Sequence, residues 1–472
     1  MLFHSATFIL FFLWVLFVHH LPVSWRIKKT HLLLASYLFY AAWNPPFVLL
    51  LLLSTFWDWQ VAQKIHKSES KQSRRRWLSV SLLLNLGMLV VFKYAGFLLD
   101  NFNVLMAAFG VQWQVSDPGL ILPMGISFYT FQTLSYTLDI YFKRLKPWHS
   151  FLDYALYVSF FPQLVAGPIV RAIDFLPQTL KQVHVSVHQF STGLALFLIG
   201  LFQKTVVADA WFAPVVDQVF NQSSQASIGD AWLGSLLFTG QIFCDFSGYS
   251  LCAIGVAMCL GFNLPINFKA PFAAVGFSDF WRRWHISLSS WLRDYLYIPL
   301  GGNRHGFWST GKNLMVTMLL GGLWHGASWT FVLWGFLHGM YLLVERGLKQ
   351  WSWPSFFSAP LVQWFLSLLT LLFVVWAFVV FRAGNMDQVI DLFGAMLGMQ
   401  HADGLLVWDY WLAFVAAAFA ALLLTQWFFR HQLMSDVLGQ MVWWQRSTLL
   451  FVCVILIVLG SGEKDAFIYF QF

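Results

Sequence analysis

The chain has 472 residues, of which 59% are hydrophobic and only 10% are charged, whereas a soluble domain carries about 25% charged residues. This composition, with a mean hydropathy of +0.65, excludes an ordinary soluble protein and indicates a polytopic membrane protein. The net charge of +7 does not indicate a nucleic-acid partner, because the basic residues form short clusters between apolar runs, as in cytoplasmic loops of membrane proteins.

The N-terminal segment has the features of a retained span and not of a cleavable signal. A secretory signal begins with a positively charged region, but the first basic residue here is Arg26, which follows the apolar run Phe8–Val18. Positive charge then accumulates at Arg26, Lys28 and Lys29. Because basic loops stay in the cytoplasm, this order predicts an N-terminus outside and a first loop inside.

The next apolar run, Leu32–Val61, is interrupted by an Asn-Pro-Pro sequence at residues 44–46. Proline removes a backbone donor and clashes with a continuing helix, so the run predicts two helical pieces. Basic clusters lie before the run at residues 26–29 and after it at residues 64–76. Since both clusters favour the cytoplasmic side, we expect a re-entrant hairpin and not one kinked span.

Similar breaks recur, and the whole pattern predicts an all-α polytopic membrane protein with about 11–13 transmembrane or re-entrant helices around a central cavity, plus interfacial amphipathic helices. No polar stretch is long enough for a soluble domain, so we expect one membrane domain over residues 1–472, with its core motifs at residues 85–345. No internal repeat is apparent, which counts against inverted-repeat transporters. The predicted spans are Ala6–Val23, Leu32–Val61, Leu78–Phe97, Ile121–Tyr141, Phe151–Val165, Ser191–Phe212, Ala231–Phe262, Phe280–Leu300, Leu314–Leu323, Trp329–Val344, Leu361–Phe381, Trp408–Phe428 and Leu449–Leu459.

The motifs of several common enzyme classes are missing from the sequence. It has no HExxH zinc helix, no Walker A loop and no GxSxG nucleophile elbow. Cys244, Cys252, Cys259 and Cys453 all lie in apolar segments without a CxxC pair, so the pattern does not indicate disulfides or zinc. We expect these four side chains to be small buried hydrophobes.

His325 lies in an apolar stretch where an ionisable side chain is costly. No residue between Lys312 and Glu345 is formally charged, and a stretch of that length can cross a bilayer. An intramembrane histidine is a functional-site hypothesis, because its neutral imidazole can take and return a proton near pH 7. The alternative is a core histidine held by a helix carbonyl.

The richest polar region is residues 277–312. On one continuous helix, Arg282, His285 and Ser289 would share a face beside an apolar stripe, which predicts an amphipathic interfacial helix with a basic edge. Because guanidinium groups bind phosphate bidentately, Arg282 and Arg283 are candidate ligands for an anionic donor near the cytoplasmic face. The alternative is that these arginines contact lipid headgroups.

His285 and His325 form a candidate catalytic pair, in which one acts as a base and the other orients it or the substrate. Gly322 and Gly326 flank His325 and would let a helix or a ligand approach the backbone closely. A metal site that adds His338 is an alternative, although the Gly-x-x-x-Gly spacing around His338 favours helix packing. No metal is therefore expected.

Asp245 is another charge inside an apolar run. A carboxylate there needs a hydrogen bond or an ion pair. A structural ion pair and a role in the cavity both remain open from the sequence.

Several extended motifs resemble the membrane-bound O-acyltransferase family. WHGASW at residues 324–329 follows FWRRWHISLS at residues 280–289. The resemblance is to the bacterial branch, which contains alginate O-acetyltransferase, the membrane subunit of peptidoglycan O-acetyltransferase and the D-alanyl transfer protein of teichoic acids. It covers about residues 85–345 and the C-terminus. The other fitting stretches are FFPQLVAGP at 160–168, DFSGY at 245–249, RDYLYIPLGGNR at 293–304 and FIYFQF at 467–472.

The resemblance implies that His325 is the essential histidine and His285 its upstream partner. It implies an acyl donor, expected to be acetyl-CoA, on the cytoplasmic side and an acceptor hydroxyl from outside, which meet in a tunnel at His325. Beyond the two histidines, the candidate residues are Arg282, Arg283, Arg293, Trp324 and Ser328 for the donor and Asp245, Gly322 and Gly326 for the cavity.

The function expected from these features is O-acetylation of an exported polysaccharide such as alginate or peptidoglycan, at the bacterial inner membrane. An extracytoplasmic acetyltransferase partner and no permanently bound cofactor are expected. The alternatives are D-alanyl transfer from a carrier-protein thioester, a donor transporter without chemistry and a non-catalytic scaffold. Positive-inside bias places the C-terminal tail outside, where residues 467–472 would anchor in lipid, cover the mouth of the tunnel or dock the partner.

Overall fold

The computed structural model describes residues 1, 3–111, 113–165, 167–351, 359–400 and 410–460. Within these ranges every regular element is a helix and no strand is assigned. The prediction of an all-α polytopic membrane protein is confirmed. The predicted tail contacts of residues 461–472 lie outside the described residues.

The helices follow the apolar runs of the sequence, and several of the breaks contain proline or glycine. Residues 42–46 separate α2 from α3, as the Asn-Pro-Pro sequence predicts. The α-helices in chain order are α1 (Ala6–His20), α2 (Trp25–Ala41), α3 (Phe47–Lys67), α4 (Lys71–Leu89), α5 (Ala95–Ala108), α6 (Ile126–Tyr141), α7 (Phe151–Ser159), α8 (Phe161–Leu164), α9 (Ala172–Phe175), α10 (Val187–Leu201), α11 (Ala213–Asn221), α12 (Ile228–Cys259), α13 (Phe277–Arg283), α14 (Ile286–Leu292), α15 (Gly306–His325), α16 (Trp329–Leu348), α17 (Pro360–Arg382), α18 (Met386–Met396), α19 (Tyr410–Phe428), α20 (Met434–Gln440) and α21 (Trp443–Leu459).

Five helical runs in the described part of the chain are long and apolar enough to cross a membrane. Helices α1 and α21 are apolar but shorter. The predicted number of 11–13 transmembrane or re-entrant helices stays a prediction. The five runs are Lys71–Ala108, Val187–Asn221, Ile228–Cys259, Pro360–Arg382 and Trp411–Phe428.

The chain forms two compact units, and the first comprises residues 1–194 and 253–265. Its N-terminal core is aromatic: the ring of Phe8 lies 4.8 Å from that of Phe3 and 6.1 Å from that of Phe39. A second buried cluster in this unit is polar and surrounds Asp58, which accepts a hydrogen bond from Ser81 Oγ at 2.6 Å. The prediction of a single domain stays a prediction.

The second unit comprises residues 195–252 and 266–472. Its core is a continuous cluster of buried aromatic and branched side chains from α12, α16 and α17. Trp284 and Trp334 are among the largest of these, and each is at most 2% exposed. Every residue of the candidate site belongs to this unit.

Helices α15 and α16 form an antiparallel hairpin, so the uncharged stretch around His325 turns back instead of continuing as one helix. A Cβ on Gly322 would lie 2.2 Å from the Phe331 carbonyl oxygen, and one on Gly335 would lie 2.4 Å from the Met318 carbonyl oxygen. The two backbones therefore approach at a distance that only glycine permits. The packing role predicted for the Gly-x-x-x-Gly spacing around His338 is consistent with this geometry.

The prediction that Arg282, His285 and Ser289 share a face of one continuous amphipathic helix was wrong. The segment forms two short helices, α13 and α14, separated at residues 284–285, and a π-turn over residues 293–297. His285 has φ 41° and ψ 54°, which is the left-handed region, so the helix cannot continue through it. The shared face of Arg282, His285 and Ser289 consequently does not exist.

Candidate functional site

His325 is the last residue of α15, directly before the turn of the hairpin. Its side chain is buried, with 3% exposure. Aromatic rings surround it: the ring centroids of Trp334 and Phe381 lie 4.9 and 5.3 Å from the imidazole centroid, both edge-on. His325 thus ends a helix that packs through its glycines, and aromatic rings lie around its side chain. We call the rings of Trp334 and Phe381 the aromatic wall.

His285 lies at the break between α13 and α14 and is fully buried. Its imidazole centroid is 6.4 Å from that of His325, 6.0 Å from the ring of Trp324 and 4.6 Å from the ring of Phe246. The structure therefore brings together the two histidines and the tryptophan that the sequence singled out. A general base acts at about 3 Å from the proton-bearing atom, and the 6.4 Å between the two imidazole centroids is about twice that distance.

His338 is fully buried, and the ring of Trp334 packs against both it and His325. The Trp334 ring is 4.6 Å from the His338 ring and 4.9 Å from the His325 ring. Among the described residues, no group of three or more His, Cys, Asp or Glu side chains is arranged to hold a metal ion. The expectation that these histidines bind no metal stays a prediction.

Gly322 and Gly326 both serve the packing of the turn that carries His325. A Cβ on Gly326 would lie 2.0 Å from the Phe331 ring, and Gly322 packs against the Phe331 carbonyl oxygen. Phe331 in turn packs edge-on against Phe381 at 5.0 Å. These glycines let the aromatic wall close around the histidine.

Asp245 is 1% exposed and forms an ion pair with Lys204 at 2.5 Å. Lys204 also pairs with Asp209 at 2.8 Å. Of the two roles that the sequence left open, the geometry provides the ion pair, which joins α12 to the π-helical segment over residues 202–212. The pairing satisfies charges that would be costly alone in an apolar interior.

A separate cavity of about 310 Å³ carries a strongly basic lining. Arg282 is exposed there, whereas Arg283 is held by Asp279 at 2.8 Å and donates to the Arg430 carbonyl oxygen at 2.8 Å. We call it the basic cavity; it is lined by Ala273, Val275, Asp279, Arg282, Arg283, Lys349, Gln363 and Arg430. With four cationic side chains and one carboxylate, this lining favours an anion.

The other candidate donor ligands lie elsewhere. Arg293 does not line the basic cavity; it is 63% exposed and pairs with Asp294 at 2.7 Å. The hydrogen bond to Asp294, assisted by its charge, raises the pKa of Arg293 against the opposing effect of burial. Ser328 directly precedes α16, and its hydroxyl lies 2.6 Å from that of Thr330. Only Arg282 and Arg283 of the predicted arginines therefore share one site.

Sequence reasoning missed four residues that shape these sites. The rings of Trp334 and Phe381 pack against the His325 ring, and the ring of Phe246 packs against that of His285. Arg430 joins the basic cavity. Only Arg430 carried a usable signal, because it follows a long apolar run and basic residues cluster at the ends of spans.

Residues 43–386 match the sequence profile described as MBOAT, the membrane-bound O-acyltransferase family. The chain belongs to that family. The matched region contains both histidines of the buried pair and Arg282 and Arg283 of the basic cavity. The resemblance stated from the motifs is confirmed, and the protein is a multi-pass membrane acyltransferase.

Three relatives indicate which branch of the family this chain resembles most extensively. The chain is 38% identical over its whole length to a probable alginate O-acetylase AlgI of Pseudomonas putida, which is itself covered fully. It is 39% identical to a peptidoglycan O-acetyltransferase of Helicobacter pylori, over 84% of this chain and 80% of that protein. A teichoic acid D-alanyltransferase of Bacillus subtilis is 31% identical over 50% of this chain and 63% of its own length. The O-acetyltransferases thus share much more of the chain.

Proposed function

We propose that this acyltransferase moves acetyl groups from cytoplasmic acetyl-CoA to an exported polysaccharide such as alginate or peptidoglycan. The observation that carries the proposal is the buried pair of His285 and His325 inside an aromatic wall. Similarity to O-acetyltransferases over most of the chain supports acetyl as the group transferred. The D-alanyl alternative rests on similarity over half of the chain.

His325 acts as the general base in this proposal. Its neutral imidazole accepts the proton of an acceptor hydroxyl while the oxygen attacks the thioester carbonyl carbon. The new C–O bond forms, the C–S bond breaks, and the imidazolium returns its proton to the leaving thiolate. The products are the acetate ester and free CoA thiol. Burial of the pair keeps water from competing as the acceptor.

His285 and Trp324 supply the N–H donors that stabilise the negative charge formed during acyl transfer. The tetrahedral intermediate places negative charge on the former carbonyl oxygen, which a fixed N–H donor stabilises. Both rings lie within 6.4 Å of the His325 ring, so either can serve the same reacting group. We assign this role to His285, with the Trp324 indole N–H as an additional donor.

The basic cavity receives the anionic end of the donor. Acetyl-CoA carries several phosphate groups, and exposed guanidinium and ammonium groups bind phosphate through charge-assisted hydrogen bonds. Arg282 and Lys349 are the exposed cations of the lining. Arg283 holds the wall of the cavity through Asp279 and the Arg430 carbonyl, which makes it a structural residue of the site.

The remaining parts of the proposal concern setting and partners. The protein lies in the bacterial inner membrane with both termini outside, as the positive-inside pattern of the sequence predicts. An extracytoplasmic acetyltransferase accepts the acetyl group or carries it to the glycan. We expect acetyl-CoA to be consumed as a substrate and no cofactor to be bound permanently.

Donor identity is tested by incubating membranes that contain the protein with acetyl-CoA and measuring free thiol and ester-bound acetate. Membranes lacking the protein are the control. We expect both products to appear without any carrier protein. Activity only with a D-alanyl carrier-protein thioester would mean that this thioester, and not acetyl-CoA, is the donor. Uptake of acetyl-CoA without release of a thiol would indicate a transporter.

A further inference from the structure

The backbone at His285 is held in a conformation that a histidine seldom adopts. Its φ of 41° brings the β-carbon close to the following carbonyl oxygen, which disfavours this region for residues other than glycine. Within the described ranges, only Lys143 and Ala270 share a positive φ among non-glycine residues. Such a conformation persists only where surrounding contacts determine it, and it concentrates at functional sites.

Asn267 makes those contacts at the two residues that directly follow His285. Its carbonyl oxygen accepts a hydrogen bond from Ile286 N at 2.9 Å. Its side-chain Oδ1 accepts from Ser287 Oγ at 2.6 Å and from Ser287 N at 3.3 Å. Asn267 is only 1% exposed, so these bonds form in a low-dielectric interior where they are strengthened. The first turn of α14 is therefore fixed at its start.

The other end of the Asn267 amide connects this turn to α12. Asn267 Nδ2 donates to Ser250 Oγ at 3.1 Å. Ser250 lies one helical turn after Phe246, so both side chains lie on the same face of α12. The Phe246 ring packs against the His285 imidazole at 4.6 Å, nearly perpendicular to it. Helix α12 thus supports both the turn of His285 and its ring.

We infer that Asn267 is a positioning residue whose side chain fixes the turn that presents the His285 imidazole to His325. The inference rests on the proposed function, in which these two histidines act together. Asparagine fits this place because its amide accepts on one side and donates on the other. Alanine would lose both side-chain contacts, and a carboxylate at this position would lose the N–H donor to Ser250.

The first test compares steady-state acetyl transfer by wild type and Asn267→Ala in membranes, at matched protein level. A displaced His285 weakens contacts to the reacting group, so we expect kcat to fall on the order of 10-fold. The donor KM should stay unchanged, because Asn267 does not line the basic cavity. Asn313→Ala is the matched control: Asn313 is also buried, and its Nδ2 donates to the Gly302 carbonyl at 3.0 Å. It should lower the amount of protein but not kcat.

The deciding test places Asn267→Ala in a His285→Ala background. If Asn267 acts through His285, the second substitution adds no further loss of kcat, since residues that act as a unit are non-additive. A full additional loss, or an unchanged kcat in Asn267→Ala alone, would overturn the inference. An undiminished kcat in His285→Ala would instead contradict the proposed function.

A milder variant covers the case in which Asn267→Ala fails to accumulate. Ser287→Ala removes one hydrogen bond to Asn267 Oδ1 and leaves the backbone bond of Ile286 intact. It should lower kcat in the same direction and have no effect in the His285→Ala background. Additive losses with this variant would likewise show that the contact is only structural.

Discussion

Asp58 and His325 are both buried in helical surroundings, but their neighbours differ in kind. Asp58 accepts hydrogen bonds from Ser81 Oγ at 2.6 Å and from Asn85 Nδ2 at 2.8 Å. Asn85 Oδ1 in turn accepts from Thr133 Oγ1 at 3.0 Å. The polar atoms of this first region therefore satisfy one another, which is what a buried polar network needs in order to stabilise a fold.

The neighbours of His325 are mainly aromatic rings, and the surrounding backbone is under constraint. Gly322 packs against a carbonyl oxygen, and His285 takes a left-handed conformation. Close packing and unfavourable backbone angles kept around two titratable groups are typical of functional sites and not of structural networks. Burial is therefore common to the two regions, whereas the constrained backbone distinguishes the surroundings of His325 from those of Asp58.

Removing His325 should produce the largest effect on activity. We expect His325→Ala to remain in the membrane. Its rate of acetyl transfer should fall by about 10²–10⁴-fold, because no base accepts the proton of the acceptor hydroxyl. The measurement is ester-bound acetate on the cell-surface glycan at matched protein level, with exposed His305→Ala as the control. Near-normal acetylation in His325→Ala would show that the His325 region, like the Asp58 region, is structural and not catalytic.

Opening the hairpin should have the next largest effect. In Gly322→Ala the new methyl group meets the Phe331 carbonyl oxygen, so α15 and α16 must separate and His325 must shift. A displacement near 1 Å costs on the order of 10²-fold in rate. Gly347→Ala, where a Cβ meets nothing within 4 Å, is the control on the same hairpin. If Gly322→Ala and Gly347→Ala were equally active, the close packing of α15 against α16 would not be what positions His325.

Arg282→Ala should weaken donor binding without changing the chemistry. A lost charge-assisted hydrogen bond costs roughly 1.5 kcal/mol, which is about 10-fold in the apparent KM for acetyl-CoA. Arg293→Ala is the control, since Arg293 pairs with Asp294 away from the basic cavity. Initial rates in membranes over a range of acetyl-CoA concentrations give both constants. An unchanged KM with reduced membrane yield would mean that Arg282 contacts lipid headgroups.

Asp58→Asn should have the smallest effect on activity per molecule. It removes the charge from two hydrogen bonds and places an amide donor against Ser81 and Asn85, which costs about 1–3 kcal/mol of stability. We expect a lower melting temperature in detergent and unchanged kcat. Exposed Asp100→Asn controls for loss of charge alone. A loss of kcat at normal stability would make the Asp58 region functional and break the comparison.

Part of this site could be predicted from the sequence. An uncharged run of more than thirty positions around His325 pointed to it as the candidate base, because an ionisable side chain there needs a reason. The glycines beside His325 predicted close packing, because only a residue without a side chain lets another backbone approach so closely. His285 was predicted as the partner of His325 from the polar region around it, and the family motifs then implied the same pairing.

The rest depends on contacts that the sequence does not show. Helical periodicity runs unbroken through residues 280–292, but the helix breaks at His285, where the next two residues bond to Asn267 in a different segment. Trp334 and Phe381 could not be selected among 26 tryptophans and 50 phenylalanines. Tertiary contacts override local propensity at such positions, and these are the positions where function is built.

The central claim, that His285 and His325 act as one catalytic unit, is tested most directly by a double-mutant cycle on acetyl transfer. His285→Ala, His325→Ala and the double variant are compared with wild type at matched protein level in membranes. We expect the double variant to be no slower than His325→Ala, because the second substitution acts on a pair that is already disabled. Losses that multiply in the double variant, or full activity in His285→Ala, would contradict the account.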